Sequence, residues 1–263
     1  MLRAFSTAAT GMQAQQTIVD TIANNLANIN TAGFKRSQVD FQDLMYVKVL
    51  ESGRELAAGV VAPTGLEIGS GVRVASTVRV FSQGEMDNTG RDLDIAIEGE
   101  GLLQITLPGA GGTRFTRDGS LRINATGALV HSTGYTVDPA MTIPADTRSI
   151  SIGNDGTVSV LTGSSVTPQV LGTLTLVRFA NSSGLSSEGR NLFAETPASG
   201  APVPGTAGQT GFGTIQQGFL ERSNVQMVSE LVNLITAQRA YEINSRAIRA
   251  GDEMLTATNQ LIR

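Results

Sequence analysis

Hydrophobic side chains recur every seven residues near both ends of the chain, and between the ends they alternate every two. Toward the C-terminus Met227, Leu234, Tyr241, Ile248, Leu255 and Ile262 fall on one seven-residue line. Beside it runs a row of mostly small residues, Ala237, Asn244, Gly251 and Thr258, which would let another helix approach closely. This is the period of a helix in a coiled-coil seam, so a helix is predicted over Ser223 to Arg263. Ser223 followed three residues later by Gln226 resembles a capping box, in which side chains satisfy the unpaired N–H groups of a helix start. Near the N-terminus Phe5, Ala8, Met12, Gln15, Val19, Ile22, Leu26 and Ile29 step by three and four and so share one helical stripe. Asn28, Asn30 and Gly33 then give that helix a place to stop, because Asn and Gly accept the left-handed conformation common past a C-terminus.

One narrow seam buries little apolar surface against the entropy of ordering a helix this long. The terminal helices are therefore expected to need partners, either elsewhere in the chain or in other copies of it. The plainer alternative is two amphipathic helices on an ordinary core.

The middle of the chain follows another rule. Between Phe34 and Gly71 the pattern loosens into an apolar cluster, Phe41, Leu44, Met45 and Val47, and a Gly- and Ala-rich run to Gly65, which reads as an irregular arm. From Gly71 the period is two: Val72, Val74, Val78 and Val80 face one way and Arg73, Thr77 and Arg79 the other, as in a half-buried strand. Leu93, Ile95 and Ile97 alternate with Asp92, Asp94 and Glu98, and Leu103, Ile105 and Leu107 form the next strand after a turn at Gly99 to Gly101. Turn dipeptides follow at Asp118-Gly119 and at Asp155-Gly156, the latter between Ile150, Ile152 and Val158, Val160. Leu174, Leu176 and Phe179 suggest one more strand, and Pro197 to Gly213 lacks periodicity.

The expected fold is therefore α+β, with N- and C-terminal helices pairing as a coiled-coil base and a central antiparallel β-rich domain. Residues 1–36 and 223–263 form the base, 37–70 a connecting arm, 71–196 the β domain and 197–222 a linker back to the last helix. The simplest layout is elongated, with the β domain projecting from the base.

Composition narrows the function classes. At 263 residues, 16% of them charged, the chain holds one large domain or two modest ones. The net charge is -4 and Lys35 and Lys48 are the only lysines, which argues against a nucleic-acid surface. There is no cysteine, hence neither disulfide nor thiolate metal site. No apolar run is long enough for a membrane span, and no cleaved secretory signal is visible behind Met1. Asp92, Asp94 and Glu98 on one strand face could hold a cation or serve as an acid and base pair, though a solvated face is the plainer reading. His131 is the only histidine, so no multi-histidine metal site exists. No G-x-S-x-G elbow or phosphate-binding loop accompanies the glycine-rich turns. No catalytic, metal or cofactor site is expected.

Two stretches are more specific than periodicity. Ala23-Asn24-Asn25-Leu26-Ala27-Asn28, continuing through Gly33-Phe34-Lys35-Arg36, resembles the N-terminal signature of bacterial flagellar rod and hook proteins. The stretch from Glu230 to Ser245, containing Gln238-Arg239-Ala240-Tyr241-Glu242, resembles their C-terminal one. Pro63 to Arg73, Gly99 to Ile105, Thr116 to Leu121 and Gly189 to Phe193 are similar to distal-rod members in particular, so the likeness covers nearly the whole chain. Gln226 stands where the family commonly has Asn, and Leu102 and Leu103 where it often has aromatics.

The resemblance implies an axial structural protein of the flagellar basal body, exported unfolded through the type III channel without a cleaved signal. It implies helical self-assembly into the rigid shaft that carries torque to the hook, with proximal rod proteins, hook subunits and the L and P ring proteins as partners. The expected assembly interface is Phe5, Met12, Val19, Ile22 and Leu26 with Met227, Leu234, Tyr241, Ile248, Leu255 and Ile262. By the same resemblance, roughly residues 46–65 would wedge between neighbouring subunits and stiffen the shaft. A proximal rod or hook subunit is the neighbouring alternative. A secreted β-rich glycan-binding or hydrolytic module, using Asp92, Asp94 and Glu98, is the alternative of another class.

Overall fold

The computed structural model describes residues 2–53, 55–57, 60–61, 63–163 and 167–261. A long helix stands at each end, α1 (Leu2–Ala27) and α2 (Met227–Leu261). The strands between them are β1 (Ser37–Asp43), β2 (Val47–Leu50), β3 (Glu55–Ala57), β4 (Val60–Val61), β5 (Leu66–Ile68), β6 (Val72–Arg79), β7 (Met86–Asn88) and β8 (Ile95–Glu98). They continue with β9 (Leu102–Thr106), β10 (Thr113–Thr116), β11 (Leu121–Ile123), β12 (Leu129–His131), β13 (Thr136–Val137), β14 (Thr147–Ile152) and β15 (Thr157–Thr162). The last are β16 (Gln169–Thr173), β17 (Thr175–Arg178), β18 (Ser186–Gly189), β19 (Leu192–Ala194), β20 (Val203–Thr206), β21 (Thr214–Gln217) and β22 (Phe219–Glu221). The α+β class expected from the pattern is the one observed.

Among the described residues the chain divides into two compact units. One takes the stretches up to Leu26, Ser37–Val78 and from Gln226 onward; the other takes Ala27–Arg36 and Arg79–Val225.

In the helical unit, two glycines report how α1 and α2 meet. A methyl group on Gly11 would lie 2.9 Å from Asn244 Nδ2, and one on Gly251 would lie 2.8 Å from the Phe5 ring. Advancing along α1 therefore means retreating along α2, so the pair is antiparallel. Asn244 and Gly251 belong to the row of small residues, which is why the helices approach there. Glycine inside a helix costs about 1 kcal/mol relative to alanine, and here it is offset by the contact it permits. Ala14, Ile22 and Ala237 are buried in this unit. The capping box expected at Ser223 is not formed: its hydroxyl accepts from the Val225 N–H at 3.3 Å, a local turn. The helix opens instead at Gln226, whose carbonyl accepts the Glu230 N–H at 3.0 Å.

The stretch read as an irregular arm forms two-stranded ribbons, β1 with β6, β2 with β5 and β3 with β4. In the second, Val47 lies opposite Ile68 and Lys48 opposite Glu67. Each run does alternate, Val47-Lys48-Val49 and Leu66-Glu67-Ile68, but it is too short to stand out from a Gly- and Ala-rich background. β6 is the strand expected from Val72 onward, yet most of it is exposed because a ribbon has no second layer.

The β unit is built on a nine-stranded antiparallel sheet, in the order β11-β12-β13-β9-β10-β19-β18 with β17 joining β9 to β20. A three-stranded sheet β14-β15-β16 and the pairs β8–β21 and β7–β22 complete it. Ile95, Ile97, Leu103, Ile105, Leu176 and Ile215 are buried in one core cluster. In a second cluster Phe115 meets Phe179 edge-on, with ring centroids 4.7 Å apart. The hairpin around Asp155-Gly156 pairs Ile150 with Val160 and Ile152 with Val158. The turns at Gly99 to Gly101 and Asp118-Gly119 join strands that do not pair with each other.

The 197–222 stretch, read as a linker, supplies three strands. β20 pairs with β17, β21 with β8 and β22 with β7. Backbone pairing carries these strands, and among their apolar side chains Ile215 is fully buried, which is why no alternation announced them.

Candidate functional site

The N-terminal motif enters the β unit and is held there by charge. Lys35 is 1% exposed; its Nζ donates to Glu221 Oε1 at 2.6 Å and to the Ser82 carbonyl at 2.8 Å. Glu221, also buried, takes the Gly84 N–H on the same oxygen at 2.8 Å and the Arg117 Nε–H on the other at 2.5 Å. Arg117 spends its remaining donors on the carbonyls of Ile97, Gly99 and Gly101. Burial alone would raise the Glu221 carboxyl, but Arg117 and Lys35 hold it below its ordinary value of 4.5. Burial pulls the Lys35 ammonium below its ordinary 10.5, against the opposing pull of Glu221. The two shifts point opposite ways for the pair, and the geometry favours the ionised carboxylate, because Glu221 meets donors only.

The rest of the motif surrounds this cluster. Gly33 has φ +68°, and a methyl group there would lie 2.6 Å from the Asp118 backbone N. Its N–H donates to the Glu221 carbonyl at 2.7 Å, so entry and exit segments also bond through their backbones. Phe34 is buried under the Arg79 guanidinium, 5.3 Å from the ring centroid. Asn224 accepts the Arg36 N–H at 2.8 Å and donates to the Val80 carbonyl at 2.8 Å. In the helical unit, buried Asn25 makes a two-way clasp on Ser37, donating to its carbonyl at 2.9 Å and accepting its N–H at 2.8 Å. Asn28 accepts from the Thr31 hydroxyl at 3.2 Å and is half-buried, whereas Ala23, Asn24 and Ala27 are exposed.

The C-terminal motif lies at the surface. Gln238, Arg239, Tyr241 and Glu242 are exposed and Ala240 half-buried. Gln238, Tyr241 and Glu242 line a groove of about 400 Å³ together with Gln16 and Val19 of α1. Of the expected assembly residues, Phe5, Met12, Val19, Leu26, Leu234, Ile248 and Leu255 are half-buried and Ile22 is buried, while Met227 and Tyr241 are exposed. Leu234, Ile248 and Leu255 lie next to the row that touches α1. Ile262 lies outside the described residues.

The carboxylates proposed for the alternative do not share an open face. Asp92 and Glu98 are exposed, but Asp94 is buried and accepts from the Thr89 hydroxyl at 2.6 Å and Arg91 Nε at 2.7 Å. Ala96, on the same side, is buried as well, so both faces of β8 are covered and a period of two misreads it. His131 is buried in β12; its Nδ1 meets the Thr133 hydroxyl at 2.9 Å, and its Nε2 lies 3.3 Å from Asp118 Oδ2, off the line of a hydrogen bond. Asp118, which burial would raise, is lowered by His131 and by Ser120. Among the described residues no group of three His, Cys, Asp or Glu is placed to hold a metal ion, and no helix is long and apolar enough to cross a membrane.

Comparison with known proteins matches three successive parts of the chain. Residues 5–35 match the family described as flagella basal body rod protein, 96–160 the flagellar hook protein FlgE/F/G D1 domain, and 216–261 the flagellar basal body rod FlgEFG protein C-terminal. The flagellar basal-body rod protein FlgG of Borreliella burgdorferi is 46% identical over 265 residues, spanning all of both chains. That of Caulobacter vibrioides is 45% identical over 261 residues, 99% of each. The chain belongs to the flagellar basal-body rod protein family. Its place is the rod of the bacterial flagellum's basal body. A flagellar hook-basal body complex protein, FlhP of Bacillus subtilis, is 35% identical over 275 residues, 99% of this rod protein and 100% of the relative.

Two sets of residues escaped the sequence reading. Glu221 and Asn224 carry no local signal, and Arg117, although inside the Thr116 to Leu121 stretch, was given no role there, since their partners are far away in sequence. Val228, Leu231, Val232 and Ile235 are exposed on the side of α2 away from Asn244 and Gly251, and their spacing of three, one and three was visible but lay off the chosen heptad line.

The ion cluster makes a testable prediction. Glu221→Gln leaves Lys35 and Arg117 buried without their counter-charge and is expected to destabilise the β unit by about 3–5 kcal/mol in denaturant unfolding. Because the native Glu221 carboxyl titrates below 4.5, its contribution is full above that pH and is lost as pH falls through the lower native value. The wild type should therefore lose stability on acidification more steeply than the Gln variant; equal slopes would contradict the assignment.

Proposed function

We propose that the chain is the subunit of the distal rod, polymerising helically into the rigid shaft that carries torque through the periplasm and outer rings to the hook. The observation that carries this reading is α2 itself, whose first three turns bear apolar side chains on both sides. Leu234 and Ala237 lie toward α1, and Val228, 75% exposed, stands with Leu231, Val232 and Ile235 on the other side. A helix with apolar stripes on two opposite sides is stable only when both are covered, and within one subunit this one is covered on one side. Other copies supply the cover. The terminal helices then make the inner layer of the shaft and the β unit its outer surface.

In this reading the exposed motif residues Gln238, Arg239 and Tyr241 meet neighbouring copies. Proximal rod proteins bind at one end of the shaft and hook subunits at the other, the L and P rings surround it, and the type III apparatus exports it. The segment of roughly residues 46–65, which includes β2, lies between neighbours and keeps the shaft straight. It suits that role by exposing Met45 beside it, Tyr46 and Val49 rather than tucking them into its own unit.

Electron microscopy of basal bodies from cells lacking the gene tests the assignment: a rod cut short, without hook or outer rings, is expected. A complete rod lacking only the hook would make the chain a hook subunit instead. Deleting residues 46–65 is expected to give a shaft that curves or bends more easily, and straight shafts in micrographs of that strain would reject the wedge.

A further inference from the structure

The ion cluster of the β unit is short of one negative charge. Lys35 and Arg117 are both buried, and Glu221 is the one carboxylate that either meets among the described residues. Arg117 gives its other bonded donors to the uncharged carbonyls of Ile97, Gly99 and Gly101. As an ammonium, Lys35 has three N–H groups but only two acceptors among the described residues, Glu221 and the Ser82 carbonyl, so one N–H is left over. Arg79 deepens the imbalance: its guanidinium donates to the Lys35 carbonyl at 2.9 Å and meets no carboxylate among the described residues. A buried charge without its counterpart is costly, and here the surplus lies against open space. A cavity of about 430 Å³ has Lys35 and Arg117 in its wall together with Phe81 and Phe179. Its exposed members, Arg178 and Glu100, stand 3.6 Å apart. All six residues belong to the β unit.

We propose that this cavity is a binding site for an organic carboxylate, its anionic head against Lys35 and Arg117 and its apolar body against Phe81 and Phe179. Charge decides the head, because an anion supplies what Glu221 alone does not and gives the unpaired Lys35 N–H an acceptor. A cation entering the cavity would add to the surplus. The walls decide the body. A hydrated inorganic ion would leave both phenylalanines unused, and the volume falls within the range of small-molecule pockets, about 300–1,000 Å³. The carboxylate is either that of a free organic acid or an acidic side chain of another polypeptide. The site concerns the β unit alone and does not depend on the rod reading.

Thermal unfolding of the purified subunit at constant ionic strength tests this, with phenylacetate, its neutral analogue phenylacetamide and N-acetylglutamate methylamide as probes. Phenylacetate is expected to raise Tm saturably, as does any ligand that binds the folded state alone, and phenylacetamide to leave it unchanged. No response to the acid, or equal responses to acid and amide, would overturn the site. A larger rise with the blocked glutamate than with phenylacetate would identify an acidic side chain as the occupant, and the reverse order a free acid. Lys35→Met removes the surplus charge while leaving Glu221 paired with Arg117, and is expected to abolish the response; a folded variant that responds like the wild type would overturn the proposal. Should that variant fail to fold, amide chemical shifts of the wild type on adding phenylacetate decide. Changes centred on residues 99–102 and 177–182 are expected, and changes confined to other regions would overturn the assignment.

Discussion

Glu221 brings a negative charge into the interior of the β unit, and the unit is arranged around neutralising it. Lys35 reaches it from the segment by which the chain enters, Arg117 from the turn after β10, and the Gly84 N–H from the loop before β7. The first two partners lie 186 and 104 residues away along the chain. A buried charge that loses one partner is far costlier than an exposed one, so the cluster ties entry, turn and exit to one another. Gly33, Phe34 and Asn224 complete the closure with a backbone bond, a ring under a guanidinium and a side-chain clasp. The Gly-Phe-Lys-Arg motif thus acts as the fastener where a helix-forming segment becomes a β domain.

The helical unit is governed by a different balance. Its seam is built from small and medium side chains, with Asn244 against Gly11 and Gly251 against Phe5. Close approach gains contact at the expense of apolar area. Leu234, Ile248 and Leu255 remain half-buried, and the outward side of α2 is open. A subunit whose β unit is sealed by charge and whose helices are incompletely covered is suited to a chain that joins others in a rod.

Periodicity was a sound guide wherever one face of an element is covered and the other is not. The heptad lines found both helices, and Ile150, Ile152, Val158 and Val160 marked a hairpin that pairs as expected. It misled where burial departs from that scheme. Both sides of β8 are covered, so Asp94 is an interior residue tied to Thr89 and Arg91 rather than part of a solvated face. β21 and β22 pair through their backbones and contribute few buried side chains, so a polar stretch read as a linker. Most of the ion cluster was beyond local reading, because Glu221 in Phe219-Leu220-Glu221-Arg222 looks like any surface glutamate until the fold brings Lys35 and Arg117 to it. The second face of α2 was legible in principle, but a seam already found on that helix concealed it.

The central claim is that the β unit is complete in a free subunit while the terminal helices are completed only by other copies. Hydrogen exchange of backbone amides, compared between the purified subunit and assembled rods, tests it most directly. Slow exchange in β8, β9 and β17 in both states is predicted, with α1 and the first turns of α2 exchanging fast in the free subunit and becoming slow in the rod. Helices as protected in the free subunit as the core strands would contradict it.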